Sequence, residues 1–160
     1  MNVSGQLVVF TLDERFYALD LAAVERTVRM VEVTPLPQAP EVVQGVINVQ
    51  GRIIPVLNIR RRFRLPERAA ALGDQLLIAR TARRPVAFAV DAVRGVMEHP
   101  PQEIIKPATV LPGIEYVEGV VKFDDGMIFI HNLDDFLSLE EEDTLDEAMG
   151  QENAADAQDY

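Results

Sequence analysis

Residues 45–58 read Gly-Val-Ile-Asn-Val-Gln-Gly-Arg-Ile-Ile-Pro-Val-Leu-Asn, two short apolar runs separated by a turn. A second stretch of the same form runs from Gly119 to Asn132, with the same distance of 13 residues from glycine to asparagine. Short apolar runs bounded by turn residues are typical of β-strands, and an asparagine ahead of apolar residues spaced three or four apart is typical of a helix N-cap. Each stretch therefore predicts a β-hairpin that leads into a short capped helix.

The similarity between the two halves of the chain extends upstream of these hairpins. Tyr17-Ala18-Leu19-Asp20 resembles Phe88-Ala89-Val90-Asp91, and the offset between the copies is 71 residues here and 74 residues in the hairpins. A repeat of this length indicates a duplicated structural unit. We therefore expect two pseudo-symmetric β lobes that share a groove.

Most other apolar runs also alternate with polar residues, which is typical of half-buried strands. Ten prolines and nine glycines separate them, so the chain is predicted to be mainly β, built as barrels or sandwiches with short helices. Ser138 followed by Glu141 forms a capping box for a C-terminal helix that should end near Met149, before Gly150. The predicted domain spans residues 5–149, and the acidic tail 150–160 is predicted to be disordered. The strands predicted outside the hairpins are Gln6–Leu12, Arg15–Leu19, Leu76–Arg80 and Val86–Val90.

The composition excludes several classes of protein. The chain has 160 residues, which allows one domain or two very small ones, and it has no cysteine, which excludes disulfides, iron–sulfur clusters and thiol nucleophiles. No apolar run approaches the ~20 residues of a membrane-spanning helix, and the N-terminus does not resemble a cleavable leader. We therefore expect a soluble cytoplasmic protein that does not insert into a membrane.

No pattern of catalytic or metal-ligating residues stands out. The two histidines are far apart, His131 sits in an apolar run where a core position is expected, and neither serine lies in a hydrolase motif. No glycine-rich phosphate loop is present, and Asp124-Asp125-Gly126 is interpreted as a hairpin turn. The sequence therefore predicts a protein that is not an enzyme and needs neither a metal nor another cofactor.

Charge is distributed unevenly along the chain. Residues 140–160 carry nine acidic and no basic side chains, while residues 52–84 carry nine arginines. Removing the nine acids from the total leaves 17 acidic and 15 basic residues, a net charge of only −2, which argues against nucleic acid as a partner of the run Arg60-Arg61-Arg62-Phe63-Arg64. The acidic and basic segments could shield each other or dock a partner, but two separately solvated surfaces are the more common arrangement.

Taken in order, these motifs resemble the CheW family of chemotaxis coupling proteins over residues 5–145. The stretch from Gly45 to Arg60 is similar to the family's Gly-x-x-Asn-Leu-Arg-Gly-x-x-x-Pro-x-x-Asp-Leu-Arg segment. The resemblance implies two five-stranded SH3-like β-barrels and a non-catalytic adaptor. It implies two partners, the regulatory domain of a CheA-type histidine kinase and the cytoplasmic tip of a chemoreceptor. The positions that match the receptor groove are Val24, Gln50 and Ala92, and those linked to kinase contact are Gly45 and Gly119, where a role in packing is equally expected.

Two positions depart from the family pattern. Gln50 stands where arginine is common, and Arg26 stands where an acidic residue is common, so both members of a paired receptor-side feature are changed. Because neither charge is left without its partner, we expect the fold to be unaffected and the receptor to be unusual. Two alternatives stay open: a CheW-type scaffold module of a non-flagellar pathway, and a small-molecule-binding β-barrel, which would need convergent polar residues in a pocket.

The tail should be dispensable for folding. Residues 150–159 contain no large apolar side chain, so ordering them offsets little of its entropic cost. A chain that stops after Gly150 is expected to melt within about one or two degrees of the full chain in a thermal scan. A large drop would instead show that the tail docks on the body, with the arginine segment as the first candidate surface.

Overall fold

The computed structural model describes residues 5–69, 71–98, 104–105, 117–123 and 126–158. Within these residues the chain forms ten β-strands, two 3₁₀-helices, one four-residue α-helix and one long C-terminal α-helix. The strands are β1 (Gln6–Leu12), β2 (Arg15–Asp20), β3 (Val24–Arg29), β4 (Val43–Val49), β5 (Arg52–Leu57), β6 (Gln75–Arg80), β7 (Pro85–Val90), β8 (Ala92–Glu98), β9 (Val117–Phe123) and β10 (Gly126–His131). The helices are η1 (Leu21–Ala23), α1 (Ile59–Arg62), η2 (Leu133–Phe136) and α2 (Leu139–Gln158).

The described strands form two five-stranded sheets. The sheet of lobe 1 has the order β8-β1-β2-β10-β9, and the sheet of lobe 2 has the order β3-β6-β7-β5-β4. Neighbouring strands are antiparallel except for one parallel pair in each sheet, β2 with β10 and β5 with β7. The predicted mainly β fold with two five-stranded units is confirmed, and the sheets are consistent with SH3-like barrels.

The two lobes do not correspond to the two halves of the chain. β1–β5 form the first repeat and β6–β10 the second, but lobe 1 combines β1 and β2 with β8, β9 and β10. Lobe 2 in turn combines β3, β4 and β5 of the first repeat with β6 and β7 of the second. Each repeat therefore supplies strands to both sheets. The first two strands of each repeat form a sheet with the last three strands of the other repeat, and this arrangement is the exchange of strands between the repeats.

Two strands, β3 and β8, have no counterpart among the predicted strands. They are equivalent edge strands of the two sheets, and most of their side chains are half-buried or exposed. Edge strands with little burial do not need a regular alternation of apolar and polar residues, and Val24–Arg29 and Ala92–Glu98 do not show one. Sequence patterns therefore missed these two edge strands.

Equivalent strand pairs repeat each other in detail. In lobe 2 the β4–β5 hairpin skips one residue between Val43 and Gly45, and in lobe 1 the β9–β10 hairpin shifts register in the same way just before Gly119. The bridges Thr34 to Val46 and Ile105 to Val120 also occupy matching places. A bulge at the same point of both hairpins supports the interpretation of a duplicated unit.

In the described part of the chain, apolar residues form three clusters, one inside each lobe and a larger one between the lobes. The shared cluster joins side chains of both sheets to the C-terminal helix, and its central contact is Phe10 on β1 against Phe88 on β7, with ring centroids 5.5 Å apart. Both rings are fully buried. His131 is also buried and stacks on Phe63 with centroids 4.2 Å apart, so its predicted core position is confirmed.

An ionic cluster centred on the buried Arg60 connects the lobes. Arg60 in α1 donates from Nη1 to Asp13 in the β1–β2 turn at 2.7 Å and from Nη2 to Asp91, between β7 and β8, at 2.8 Å. The backbone amide of Asp13 donates to the other oxygen of Asp91, and Arg68 donates to both Asp91 and Asp74. Burial alone would raise the pKa of Asp91, but the Asp13 amide and the two guanidinium groups outweigh it and hold that pKa below its usual value.

The predicted caps are present. The side chains of Asn58 and Asn132 accept hydrogen bonds from the backbone amides of Arg61 and Asp134, at 3.1 and 3.0 Å. Ser138 Oγ accepts from the Glu141 amide, and Glu141 Oε1 accepts from the Ser138 amide, which completes the capping box.

The C-terminal helix differs from its prediction in length. It continues to Gln158, so the expected end of the helix before Gly150 is wrong. Gly150 lies inside the helix with open space around it, and the residues that follow are mostly Ala, Gln and Glu, which favour helix and outweigh the cost of one glycine. The division into a domain of residues 5–149 and a dispensable tail stays a prediction.

The sequence favoured acidic and basic segments that are solvated separately, but in the structure the two segments partly neutralise each other. Arg62 holds Glu141 through two contacts of 2.7 and 2.6 Å, and Arg84 pairs with Glu142 and Asp146. Leu145 and Ala148 on the same helix are buried in the shared cluster. The helix is therefore fixed to the body by both ion pairs and apolar packing.

Replacement of Arg60 by alanine should destabilise the protein strongly, because it leaves Asp13 and Asp91 without their shared cation. Arg60 has a side chain that is only 10% exposed, and we expect a loss of about 2–4 kcal/mol in the free energy of unfolding, less than a fully buried pair because Asp13 contacts solvent. Arg61→Ala is the matched control, since its ion pair with Glu41 is exposed and should contribute less than about 1 kcal/mol. Urea denaturation measures both, and equal losses would contradict the role given to Arg60.

Candidate functional site

The edge of lobe 2 is closed by polar contacts between β3 and the β4–β5 turn. Arg26 Nη2 donates to Gln50 Oε1 at 3.3 Å, and Arg52 Nη2 donates to Glu25 Oε2 at 2.9 Å. The hydrogen bond from Arg52 is the main reason that the pKa of Glu25 lies below its usual value. Two of the positions singled out from the sequence, Arg26 and Gln50, are therefore in direct contact.

The turn that carries Gln50 is a tight two-residue hairpin. Val49 pairs with Arg52, and the two residues between them, Gln50 and Gly51, have φ angles of +53° and +85°. Positive φ at both central positions is typical of a type I′ turn, in which the second position favours glycine. The Asn48 side chain accepts a hydrogen bond from the Gly51 amide at 2.9 Å and stabilises the turn. The turn projects Gln50 from the end of the hairpin as an exposed residue.

Val24 and Ala92 lie in different lobes. Val24 begins β3 of lobe 2 and packs, half-buried, against the shared apolar cluster. Ala92 begins β8 of lobe 1, where it pairs with Thr11, and is also half-buried. Val24 and Ala92 are therefore the first residues of the edge strands β3 and β8. Gln50 contacts Arg26, which lies two residues after Val24 on β3. Among the described residues, the strand pairing and hydrogen bond of Ala92 are with Thr11 and do not join it to Val24 or Gln50.

Gly45 and Gly119 are both buried, at matching positions behind the hairpin bulges. A Cβ atom added at Gly45 would clash with the backbone carbonyl of Thr34, which is bridged to Val46 by two hydrogen bonds of 2.8 and 2.9 Å. The structure thus gives Gly45 a packing role. The predicted contact of Gly45 and Gly119 with a kinase stays a prediction.

Sequence patterns did not reveal an apolar pit in lobe 1. Its walls come from β1, β2, β8 and β10, with Val9, Phe16, Val96, Met97 and Ile128 as the apolar lining and Arg94 and Gly95 at the rim. Val96 is 58% exposed although its neighbours Val9 and Ile128 are buried. Because β8 was not predicted as a strand, no signal in the sequence placed Val96 beside Phe16.

The corresponding end of lobe 2 is built differently. β3 and β8 each shift register near their start. Gly95 on β8 occupies the position that Arg26 has on β3, and Arg94 occupies the position of Glu25. In lobe 2 these residues make the polar contacts with the β4–β5 turn, whereas the turn residues Asp124 and Asp125 of lobe 1 lie outside the described residues, as does His99. Two pseudo-symmetric lobes therefore present one apolar and one polar end.

Comparison with known proteins identifies the class of protein that has this fold. A family model described as the CheW-like domain matches residues 6–141, which include strands of both lobes. The chain therefore belongs to the CheW-like family, and the expected general role, a chemotaxis coupling adaptor, is confirmed at that level.

Curated relatives and a solved structure agree with this assignment. The chain is 30% identical over 142 residues to the chemotaxis protein CheW of Treponema pallidum, which covers 85% of this chain and 84% of the relative. It is 25% identical over 143 residues to the CheW protein of Klebsiella aerogenes, covering 88% and 86%. The crystal structure of the scaffolding protein TtCheW from Thermoanaerobacter tengcongensis superposes with a TM-score of 0.77 at 33% identity, covering 86% of this chain and 94% of that one.

The described residues hold neither a candidate membrane span nor a candidate metal site. No helix there is long and apolar enough to span a membrane. No group of three or more histidine, aspartate or glutamate side chains in the same part of the chain is arranged to hold a metal ion.

Gly45→Ala should destabilise the fold, because its methyl group meets the Thr34 carbonyl and the strand must shift to make room. We expect a loss of about 1–3 kcal/mol in the free energy of unfolding, as for other overpacked sites. Gly73→Ala is the control, since a Cβ there meets nothing within 4 Å. If both variants unfold at the same urea concentration, the close approach of Thr34 does not constrain position 45.

The contact between Arg26 and Gln50 predicts a measurable coupling. Gln50→Arg alone places two guanidinium groups side by side, whereas Gln50→Arg combined with Arg26→Glu replaces the hydrogen bond between a guanidinium and a neutral amide by an ion pair. We expect the double variant to be more stable than the sum of the single changes by about 0.5 kcal/mol or more. A double-mutant cycle in urea measures this, and a coupling energy of zero would show that the two side chains do not interact in solution.

Proposed function

We propose that this protein is a non-catalytic adaptor that binds a chemoreceptor at one surface and a CheA-type histidine kinase at another. The observation that carries the proposal is the match to the CheW-like family across both lobes. An adaptor needs two separate binding surfaces on one stable body. The rim of lobe 2, formed by Glu25, Arg26, Gln50 and Arg52, is polar, whereas the pit of lobe 1 is apolar, so the two surfaces differ in chemistry.

For the receptor we propose a helix that lies in the groove between the lobes, with Val24, Gln50 and Ala92 as contact residues. Helix-in-groove recognition uses apolar anchors on one face of the helix and polar contacts at the rim. Val24 and Ala92 are small, half-buried residues that a helix can approach closely, and Gln50 offers an exposed amide. These properties support the assignment, which rests on the family resemblance.

For the kinase we propose docking of its regulatory domain on the flanks of the lobes. Gly45 and Gly119 would act there by shaping the edge strands β4 and β9, since both residues are themselves buried. The apolar pit offers an anchor for the same partner, because exposed apolar surface such as Val96 is stabilised when a partner covers it. The adaptor would work in the cytoplasm without a cofactor, in a flagellar or a non-flagellar chemotaxis-like pathway.

A small-molecule-binding barrel is the second candidate. A cavity beside α1 and β7 does contain polar side chains, including Asn58, Arg60, Arg68 and Asp91. These groups already satisfy each other: Asn58 donates to Glu67 at 2.5 Å, and both arginines are paired with aspartates. A ligand would have to break these contacts, so the cavity does not favour this function.

The proposed function predicts that the two partners respond to different substitutions. Val24→Asp places a carboxylate in an apolar contact and should weaken binding of a receptor cytoplasmic fragment by at least about tenfold, with binding to the kinase regulatory domain kept. Val96→Asp should do the reverse. Leu72→Asp is the control for both, because Leu72 is 99% exposed and lies outside both surfaces. Isothermal titration with each purified partner gives the affinities.

Circular dichroism must accompany the titrations, because Val24 is half-buried and its replacement could disturb the fold. Gln50→Ala tests the same surface without this difficulty, since Gln50 is exposed, and it should weaken receptor binding several-fold. Failure of the unaltered chain to bind either partner would overturn the proposal. Loss of both partners on every substitution, with the fold intact, would overturn the separation into two surfaces.

A further inference from the structure

The rim of lobe 2 carries an excess of positive charge. Three arginines, Arg26, Arg52 and Arg80, surround the single carboxylate of Glu25 and together hold its pKa below the usual value, with Arg52 as the main contributor. Arg52 is the one that forms an ion pair with Glu25. The rim therefore has a local net charge of +2 at the edge where β3 meets the β4–β5 turn.

Arg26 is the cation at the centre of this rim. Its partner, Gln50, is a neutral amide, and the 3.3 Å hydrogen bond uses one of the five N–H donors of the guanidinium group. Within the described parts of the chain, no carboxylate lies within ion-pair distance of Arg26 or of Arg80. A half-buried guanidinium with a neutral partner can still donate two parallel hydrogen bonds to a carboxylate.

Most of the basic segment 52–84 does not add to this charge. Most other arginines of the segment 52–84 are already neutralised by acidic residues of the same chain, among them Arg60, Arg61, Arg62, Arg68, Arg83 and Arg84. A nucleic acid or another long polyanion is bound through a continuous track of cations, and such a track is absent from the described surface. Arg26 and Arg80, next to the half-buried Val24, are complementary to a partner segment that carries one acidic side chain beside an apolar one.

The equivalent edge of lobe 1 lacks this feature. Gly95 takes the place of Arg26, and the space above it is open. Although Arg94 is exposed at that edge, the neighbouring surface is the apolar pit. The cationic rim is thus a property of one lobe, as expected for a surface that selects one partner rather than for a general feature of the duplicated fold.

We propose that the segment docking at Val24 and Gln50 is an acidic helix, with an Asp or Glu that pairs with Arg26 and an apolar residue against Val24. The proposal rests on the proposed function and deepens it, because it gives the chemistry by which this adaptor selects its receptor. Gln50 then positions the Arg26 guanidinium by its hydrogen bond, without competing for the cation as an acidic residue would.

Titration of a purified receptor cytoplasmic fragment against Arg26 variants tests the proposal. At 50 mM NaCl we expect Arg26→Gln to weaken binding about two- to fivefold and Arg26→Glu at least about tenfold, because the second change also introduces repulsion. At 300 mM NaCl the differences should shrink, since salt screens exposed pairs. Arg61→Gln removes an exposed cation elsewhere and should leave the affinity unchanged.

Reversal on the receptor side identifies the partner residue. Single Glu→Lys or Asp→Lys changes along the docking helix should include one that weakens binding to the unaltered chain and restores binding to Arg26→Glu. Binding to the kinase regulatory domain should stay within about twofold for every Arg26 variant, which also shows that the variants are folded.

The outcomes separate this inference from the function on which it rests. If the unaltered chain binds the receptor fragment and Arg26→Glu binds it equally well or more tightly, the acidic helix is wrong and the adaptor function stands. If no receptor change rescues Arg26→Glu, the direct pair is wrong. If the unaltered chain binds no receptor fragment, both fall. Binding of a 20-base-pair DNA duplex that depends on Arg26 and exceeds receptor binding would replace the helix by a polyanion.

Discussion

The exchange of strands between the two halves of the chain is the constraint on which the rest of the structure depends. β8 completes the sheet of β1 and β2, and β3 completes the sheet of β6 and β7, so neither half can form a five-stranded sheet alone. Because Asp91 joins β7 of one lobe to β8 of the other, the crossing point is also where Arg60 and Asp13 meet. The ion cluster around Arg60 therefore connects the two lobes at this crossing point.

Much of this fold could be predicted from the sequence because local signals and global structure agree. The hairpins, the asparagine caps and the capping box at Ser138 all depend on residues within a few positions of each other. The exchange could not be predicted, since a repeat shows that two units are alike but does not show which strands pair. The length of the last helix was underestimated because one glycine was given more weight than the helix-forming residues that follow it.

The candidate site was predicted less completely. The resemblance gave Gln50 and Arg26, which contact each other, but it could not give Glu25 and Arg52, because their pairing depends on how β3 approaches the β4–β5 turn. The apolar pit was missed for a similar reason: its lining comes from four strands, one of which has no regular pattern. Surfaces assembled from distant edge strands are determined by tertiary contacts, and those contacts leave little trace in short stretches of sequence.

The function proposed above requires that the two-lobed body bind two partners at separate surfaces. Sedimentation velocity of the chain mixed with both the kinase regulatory domain and a receptor cytoplasmic fragment tests it most directly. We expect a species that contains all three proteins and that disappears when the chain is omitted. Displacement of the kinase domain by increasing receptor fragment would show that the partners share one surface, and would contradict the claim.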